Sequence, residues 1–529
     1  MLIQFKIFGP SEIRPWFGKP GGPPGSDDQR KFDHKVAKKA WGRRWDQQGD
    51  TGLIDPGTIQ WLIVVAIQFA VIVRAILLDG RDSYSRAAWL LLLIALPVAG
   101  VILYILFGEP WISKGFRKRC RRIDDELRRF APIPAQCGDA YSLTANAFRT
   151  FEAASGWPVS IGNTASVTPD SDTAIDMLVA DIDSAKTTVH LSFYIWLGDN
   201  NGMKVVDAVC RAAQRGVACR VAADAIGSRA MIRSSHWRTM REAGARLCSL
   251  LEAPLGMGFL VGRRTDLRNH RKIAVIDGRI TYGGSQNCAD PAFLVKRRFA
   301  PWVDILVRYE GPVARQADII FAAAWSLETG EDFSPVMGTD PPAPSAHGFA
   351  AIATGTGPLS PPGTMSDMFV SVLSEAQRDI TITTPYFAPD PPLIGAIVAA
   401  ARRGVEVRII FPHRNDSRIV GAISRAYYPV LAKAGVRIFE YRGGMLHAKT
   451  LLADDVLTLV GSSNMDRRSL DLNFENSILS QSAELAAQLR ERQCRWLDNA
   501  IEIDRDAATS RPIPRRLADN LLTIIAAVF

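Results

Sequence analysis

Two long apolar runs stand at the start of the chain, and an alternating pattern of apolar and polar residues fills the rest. Ile59 to Leu78 is interrupted only by Gln60, Gln68 and Arg74, and Ala87 to Phe107 carries no charge. Each run is long enough to cross about 30 Å of hydrocarbon as a helix. Only Asp79 to Arg86 separates them, so they predict a two-helix transmembrane hairpin. Arg74 lies within a turn of the end of its run, where its side chain can snorkel to the interface. The first run begins too far from Met1 for a secretory signal, and no small-residue cleavage pattern follows the second.

From about residue 140 the pattern is that of an α/β protein written twice. A strand-like run TTVHLSFYIW (187–196) leads into a helical pattern ending AAQRGVACRV (212–221). DITITTPYF (379–387) leads likewise into AARRGVEVRI (400–409), and GARL (244–247) parallels GVRI (435–438). Such self-similarity marks a duplicated unit. The expected organisation is a flexible basic tail (1–55), the hairpin (56–110) and a basic juxtamembrane linker (111–140). A first half (141–333), a Pro-rich linker (334–347), a second half (348–505) and a C-terminal amphipathic helix (506–529) follow.

Composition narrows the setting. The 529 residues are 47% hydrophobic and 22% charged, which suits neither a disordered chain nor a polytopic membrane protein. Lys plus Arg exceeds Asp plus Glu by 63 − 54 = +9, favouring an anionic partner. The seven cysteines are scattered and nowhere form CxxC, so free thiols in a reducing compartment are expected rather than zinc ligation or a disulfide framework. Lys35, Lys38, Lys39, Arg43 and Arg44 precede the hairpin, and Lys114, Arg117, Lys118, Arg119, Arg121 and Arg122 follow it. By the positive-inside rule both flanks face the cytoplasm. The final segment, with Arg515 and Arg516 ahead of an apolar stripe, suits an interfacial helix.

The duplication is sharpest among polar residues. His270, Lys272, Asp277, Gly284, Ser285 and Asn287 recur as His447, Lys449, Asp454, Gly461, Ser462 and Asn464, with identical offsets of +2, +7, +14, +15 and +17 from each histidine. Residues 270–276 read as a strand turning at Asp277-Gly278, so His and Lys share a face. The Asp, at an odd offset, is better placed to organise the turn than to touch substrate. His270, Lys272, Asp277, His447, Lys449 and Asp454 form the candidate catalytic set. Ser285, Asn287, Ser462 and Asn464 are candidate phosphate ligands beside the lysine cations. No carboxylate cluster suggests a metal, so no cofactor is expected.

Two histidines allow one to attack phosphorus while the other transfers protons. Each then needs a carboxylate to fix its tautomer, and Asp304 and Glu475 are the candidates. The paired HxKx4D motifs with trailing GSxN resemble the phospholipase D superfamily. Phrases such as DLRNHRKIAVIDGRITYGGSQNCADPAF, WVDILVRYEGP and LVGSSNMDRRSLDLNFE are similar to its bacterial cardiolipin synthases. That resemblance implies two phospholipase D-type α/β/α sandwich halves with the active site at their interface, behind a transmembrane hairpin in the bacterial inner membrane. It implies transfer of a phosphatidyl group between two phosphatidylglycerols, with His270 as nucleophile and His447 as acid and base. Lys272, Lys449, Asn287 and Asn464 would hold the phosphate, and Asp304 and Glu475 would orient the imidazoles. Phosphatidylglycerol and anionic lipid are the expected partners, without nucleic acid. A hydrolase using the same site, either a phospholipase D or a nuclease, and a non-catalytic membrane scaffold are the alternatives. The hairpin and the absence of a basic stripe interleaved with aromatics disfavour the nuclease, and two intact His/Lys/Asn sets disfavour the scaffold.

Overall fold

The computed structural model describes residues 55–78, 83–109, 112–131, 145–252, 266–337 and 342–528. The expected basic tail, apart from Asp55, and residues 132–144 lie outside these. The chain divides after Ile63 into a short N-terminal unit and a large unit that begins at Val64.

Period-2 patterning and β-branched residues produce one mixed sheet of 15 strands. At its middle, Phe349–Thr356 pairs antiparallel with Ser160–Val167. Outward from Ser160–Val167 lie Leu306–Glu310, Ile280–Gly284, Ile273–Ile276, Thr188–Phe193, Ala218–Asp224 and Arg246–Leu250. Outward from Phe349–Thr356 lie Glu475–Gln481, Leu457–Gly461, Thr450–Ala453, Asp379–Thr383, Glu406–Pro412 and Arg437–Tyr441, with Ala500–Glu502 at the edge. The two motif hairpins therefore occupy matching places in the strand order. The outer strands are parallel, with helices in their crossovers: Asn200–Gln214 joins two of them, and Pro391–Arg402 joins two others. Val313–Thr329 is buried along most of its length beside the sheet centre.

The turns of the motif hairpins explain their aspartates. Asp277 and Gly278 have φ of 52° and 63°, and Asp454 and Asp455 have 53° and 55°. Asp tolerates this left-handed region better than most residues, and Gly adopts it freely. Asp277 accepts hydrogen bonds from the backbone N–H groups of Lys186, Thr187 and Thr188 at 2.7–2.9 Å. Asp454 does the same for Gln377, Arg378 and Asp379. Each aspartate thereby ties its hairpin to the start of the neighbouring strand. Every described cysteine is free, as its scattered position suggests.

Pro56–Leu77 is a 22-residue helix containing an 18-residue stretch of mean hydropathy 2.2, long and apolar enough to cross a bilayer. The second apolar run departs from the expected single span. It is helical over Ser83–Ala95 and again over Pro97–Leu103 and Tyr104–Gly108, with Leu96 non-helical at φ −130° and ψ 79°. Proline is favoured at a helix start and cannot continue the preceding turn. The chain doubles back there, bringing the rings of Trp89 and Tyr104 to 5.1 Å. Gly100 permits the close approach, because a Cβ would lie 3.1 Å from the Leu93 Cα. The 13-residue first arm is only about 20 Å long. Arg74 pairs with Glu109 at 2.7 Å, so both ends of the doubled-back run lie near the end of the first helix.

Lys114–Arg128 buries Cys120, Ile123 and Leu127 and leaves Arg117, Lys118, Arg119, Arg121 and Arg122 exposed. The terminal helix, Ile513–Val528, exposes Ile513, Leu517, Leu521 and Ile524, an apolar stripe at helical spacing. Its other side packs on Arg418–Ala426, where Leu522 meets Ile423.

Candidate active site

The catalytic segments begin just before their strands. Ile273–Ile276 and Thr450–Ala453 form the ladders, whereas His270 to Lys272 and His447 to Lys449 are extended chain that reaches out of them. The reason is reciprocal backbone pairing between the two parts of the sheet. His270 N–H donates to the Phe474 carbonyl at 2.9 Å, and His447 N–H donates to the Val303 carbonyl at 2.8 Å. The residue after each acceptor is the carboxylate that pairs with that same histidine. Hence His270 Nδ1 lies 2.8 Å from Glu475 Oε2, and His447 Nδ1 lies 2.7 Å from Asp304 Oδ1. Each carboxylate serves the histidine of the opposite motif, so neither imidazole is oriented by its own repeat. Because a carboxylate accepts, each Nδ1 carries the hydrogen and each Nε2 is free to react.

Both lysines donate to the carbonyl of their own histidine, Lys272 to His270 at 2.7 Å and Lys449 to His447 at 2.5 Å. This fixes each ammonium beside its imidazole. All four groups are buried. Burial pushes the Lys272 amine down to about 7, with the Lys449 charge adding to the effect, and it pushes the Lys449 amine to about 8 against the attraction of Asp304 and Glu475. Burial pushes His270 down to about 4 against the attraction of Glu475, and it lowers His447 against that of Asp304. Burial alone would raise the two carboxyls, yet their histidines, the lysines and a serine hydroxyl outweigh it and hold both below the ordinary range. The resting site therefore has neutral imidazoles, ionised carboxylates and two amines near their midpoint at neutral pH. A phosphodiester anion entering between them would draw protons onto the lysines.

The serines differ from their expected role as phosphate donors. Ser285 Oγ donates to Asp304 at 2.5 Å, and Ser462 Oγ donates to Glu475. A hydroxyl has one proton to give, and here it supports the carboxylate; the oxygens accept from the backbone N–H of Ile305 and Asn476. Asp277 and Asp454, placed in the catalytic set by motif membership, sit at the hairpin turns and tie down backbone instead. Asn287 uses Oδ1 to accept from Ile195 N–H, so its amide N–H groups are the part of the side chain that could donate to a ligand. Asn464 instead turns Nδ2 toward Ser469 Oγ at 3.2 Å, leaving Oδ1 without a protein partner.

Several neighbours escape a reading of the motifs. Ser469 and Asn473 also donate to Glu475, Ser469 being carried on a π-helical turn, Arg468–Leu472. Tyr194 lies 5.0 Å from the His270 ring and under the Lys272 ammonium, and Trp302 lies 4.7 Å from His447. Tyr386 is 6.3 Å from His447. The tyrosines close the strand-like phrases 187–196 and 379–387, and their matching places after the strands are the signal that would have found them. Among the described residues, no group of three or more His, Cys, Asp or Glu is arranged to hold a metal ion.

Paired His/Lys segments with exchanged carboxylates on a mixed sheet define a phospholipase D-like protein. The family described as "Cardiolipin synthase, PLD-like domain" matches residues 178–325 and 369–495, and a phospholipase D-nuclease N-terminal family matches 66–109. Cardiolipin synthase A of Escherichia fergusonii and that of Citrobacter koseri are each 34% identical over 477 residues, covering 88% of this chain and 97% of theirs. The chain belongs to the cardiolipin synthase family of phospholipase D-like proteins. Among solved structures, the phosphatidylserine synthase of Haemophilus influenzae Rd KW20 shares the fold, with a TM-score of 0.53 and 15% identity over 72% of this chain and 99% of that one.

Proposed function

We propose that the chain is a membrane-bound phosphatidyltransferase that makes cardiolipin and glycerol from two phosphatidylglycerols. The observation that carries this reading is the exchange of carboxylates between two buried histidines, which leaves two reactive Nε2 atoms beside two lysines. Family membership supports the same activity.

In the first step Nε2 of neutral His270 attacks phosphorus, and the bond from phosphorus to the glycerol oxygen breaks. Protonated His447 gives its Nε2 hydrogen to the departing oxygen. Burial disfavours that proton in the empty site, but Asp304 and the bound anion favour it. The phosphatidyl group then rests on His270. In the second step the hydroxyl of another phosphatidylglycerol gives its proton to His447 as its oxygen bonds phosphorus and the P–N bond breaks. Lys272, Lys449 and Asn287 stabilise the equatorial phosphoryl oxygens throughout. Asp304 and Glu475 hold the tautomers, and Ser285 and Ser462 hold the carboxylates.

We read the soluble body as duplicated α/β/α halves, 141–333 and 348–505, joined by the Pro-rich 334–347. The apolar segment (56–110) anchors it, with Pro56–Leu77 crossing the bilayer of the bacterial inner membrane and the doubled-back run returning the chain to the side on which that helix ends. Exposed arginines of the juxtamembrane segment (111–140) lie against anionic headgroups at about 1 kcal/mol per charge. The stripe of the C-terminal helix (506–529) lies in the same interface. The basic segment that leads into the catalytic body, Lys114 to Arg122, puts that body in the cytoplasm by the positive-inside rule, in place of the expected return of both flanks to one side. Confinement to two dimensions raises the effective lipid concentration.

Purified protein given vesicles of phosphatidylglycerol alone tests the reading. Cardiolipin plus glycerol is expected; phosphatidic acid plus glycerol would mark a hydrolase, and no product would mark a scaffold. Activity should survive EDTA, and loss reversed by added metal would contradict the proposed chemistry. A reporter at residue 529 should read cytoplasm.

A further inference from the structure

Beside the His447 side of the site lies a cavity of about 560 Å³ whose lining includes Arg298, His413, Arg414, Arg418 and Arg425. Among the described residues, none of these four arginines has a carboxylate within ion-pair distance. The nearby acids are already engaged: Asp416 by Lys296 and the Tyr386 hydroxyl, Glu440 by His413 and the Tyr428 hydroxyl. A cavity walled by uncompensated guanidinium groups is an anion site, and phosphate suits their forked geometry.

The cavity reaches the chemistry through a short chain of contacts. Tyr386, which holds Asp416, lies 6.3 Å from the His447 ring, and Phe299 on the cavity wall packs in one cluster with Trp302, 4.7 Å from His447. The wall is also turned toward lipid. Arg418–Ala426 is the helix on which the striped C-terminal helix packs, Ile419 is exposed, and Leu294 and Val295 stand exposed just before Lys296 to Arg298.

We infer that this cavity binds the phosphate of the second, acceptor phospholipid. The inference rests on the proposed transfer with His270 as nucleophile. In that reaction the incoming hydroxyl must approach phosphorus opposite the P–N bond, which is the His447 side. The acceptor differs from water and from free glycerol in carrying its own phosphodiester, held through the glycerol backbone to the attacking hydroxyl. Arginines beside His447 would place that hydroxyl and favour transfer to lipid over hydrolysis.

The test uses the full-length protein in phosphatidylglycerol vesicles with labelled glycerol. Label entering phosphatidylglycerol reports formation and reversal of the phosphatidyl-enzyme, whereas cardiolipin requires the acceptor lipid as well. The Arg414→Gln/Arg418→Gln protein should show a ratio of cardiolipin formation to glycerol exchange lower by about tenfold, the size expected for losing charged hydrogen bonds to phosphate, with a raised KM for acceptor lipid. The Arg414→Lys/Arg418→Lys protein should recover most of the ratio, which a folding defect would not allow. An unchanged ratio, or equal loss of both reactions with vesicle binding weakened, would overturn the inference, the latter assigning the arginines to general membrane attachment. Wild-type protein that releases phosphatidic acid and no cardiolipin would instead overturn the functional reading itself.

Discussion

The two motif hairpins share their backbone and differ in their surroundings. Each presents His and Lys from an extended segment, ties itself down through a turn aspartate, and borrows a carboxylate from the other. Glu475, the partner of His270, takes hydrogen bonds from Ser462, Ser469 and Asn473, whereas Asp304, the partner of His447, takes one side-chain bond, from Ser285. In the proposed mechanism the more tightly held imidazole, His270, is the one assigned the covalent bond. The less constrained one, beside the arginine cavity, is suited to pass protons to departing and arriving hydroxyls. The matching hairpins thus supply the common groups, and the differences around them are what the proposed division of roles rests on.

The largest blow to that comparison is removal of either imidazole. His270→Ala and His447→Ala should each lower cardiolipin formation by at least about 10⁴-fold in the vesicle assay, since both act in each step. Residual activity confined to one variant would show that the two are not both required. Next come the orienting carboxylates: Glu475→Gln and Asp304→Asn should cost about 10²- to 10⁴-fold in kcat by freeing the tautomer. If only one of them lowered kcat, exchanged orientation would not be a shared device.

The pH profile is a gentler probe. The value of kcat/KM should fall on the acid side as His270 gains a proton near 4, because a protonated ring cannot attack. It should fall on the alkaline side first as His447, lowered by burial, loses the proton it must deliver, and then as Lys272, near 7, and Lys449, near 8, lose the protons that attract phosphate. The alkaline limb of kcat should lie higher, because bound phosphate raises both amines. Coincident alkaline limbs would separate the lysines from substrate charge. Smallest is the effect of the turns: Asp277→Ala and Asp454→Ala should each lower stability by about 1–3 kcal/mol in denaturant titration while KM stays near wild type. A large change in KM with stability intact would return these aspartates to the substrate.

Much of this was legible in the sequence because identical spacing carries geometry. Offsets of +2 placed His and Lys side by side, and the odd offset of the aspartates pointed them to the turns. What spacing cannot express is contact between distant segments. That Glu475 reaches His270, and Asp304 reaches His447, depends on Phe474 and Val303 accepting from the opposite histidine's backbone. The serines were misplaced for the same reason, since their proton goes to carboxylates known only from the folded chain. The apolar run 87–107 satisfied a length criterion for a single span, and the fold-back at Leu96-Pro97 shows that local backbone chemistry can override it. The arginine cavity is assembled from residue 298 and the region 413–425, which no motif connects.

The division of roles is tested most directly by mass spectrometry of His447→Ala protein incubated with phosphatidylglycerol and quenched. With attack possible and proton delivery impaired, a phosphatidyl adduct should collect on the peptide containing His270, and His270→Ala protein should carry none. An adduct on His447 in His270→Ala protein, with none on His270 in its counterpart, would reverse the assignment and contradict the account.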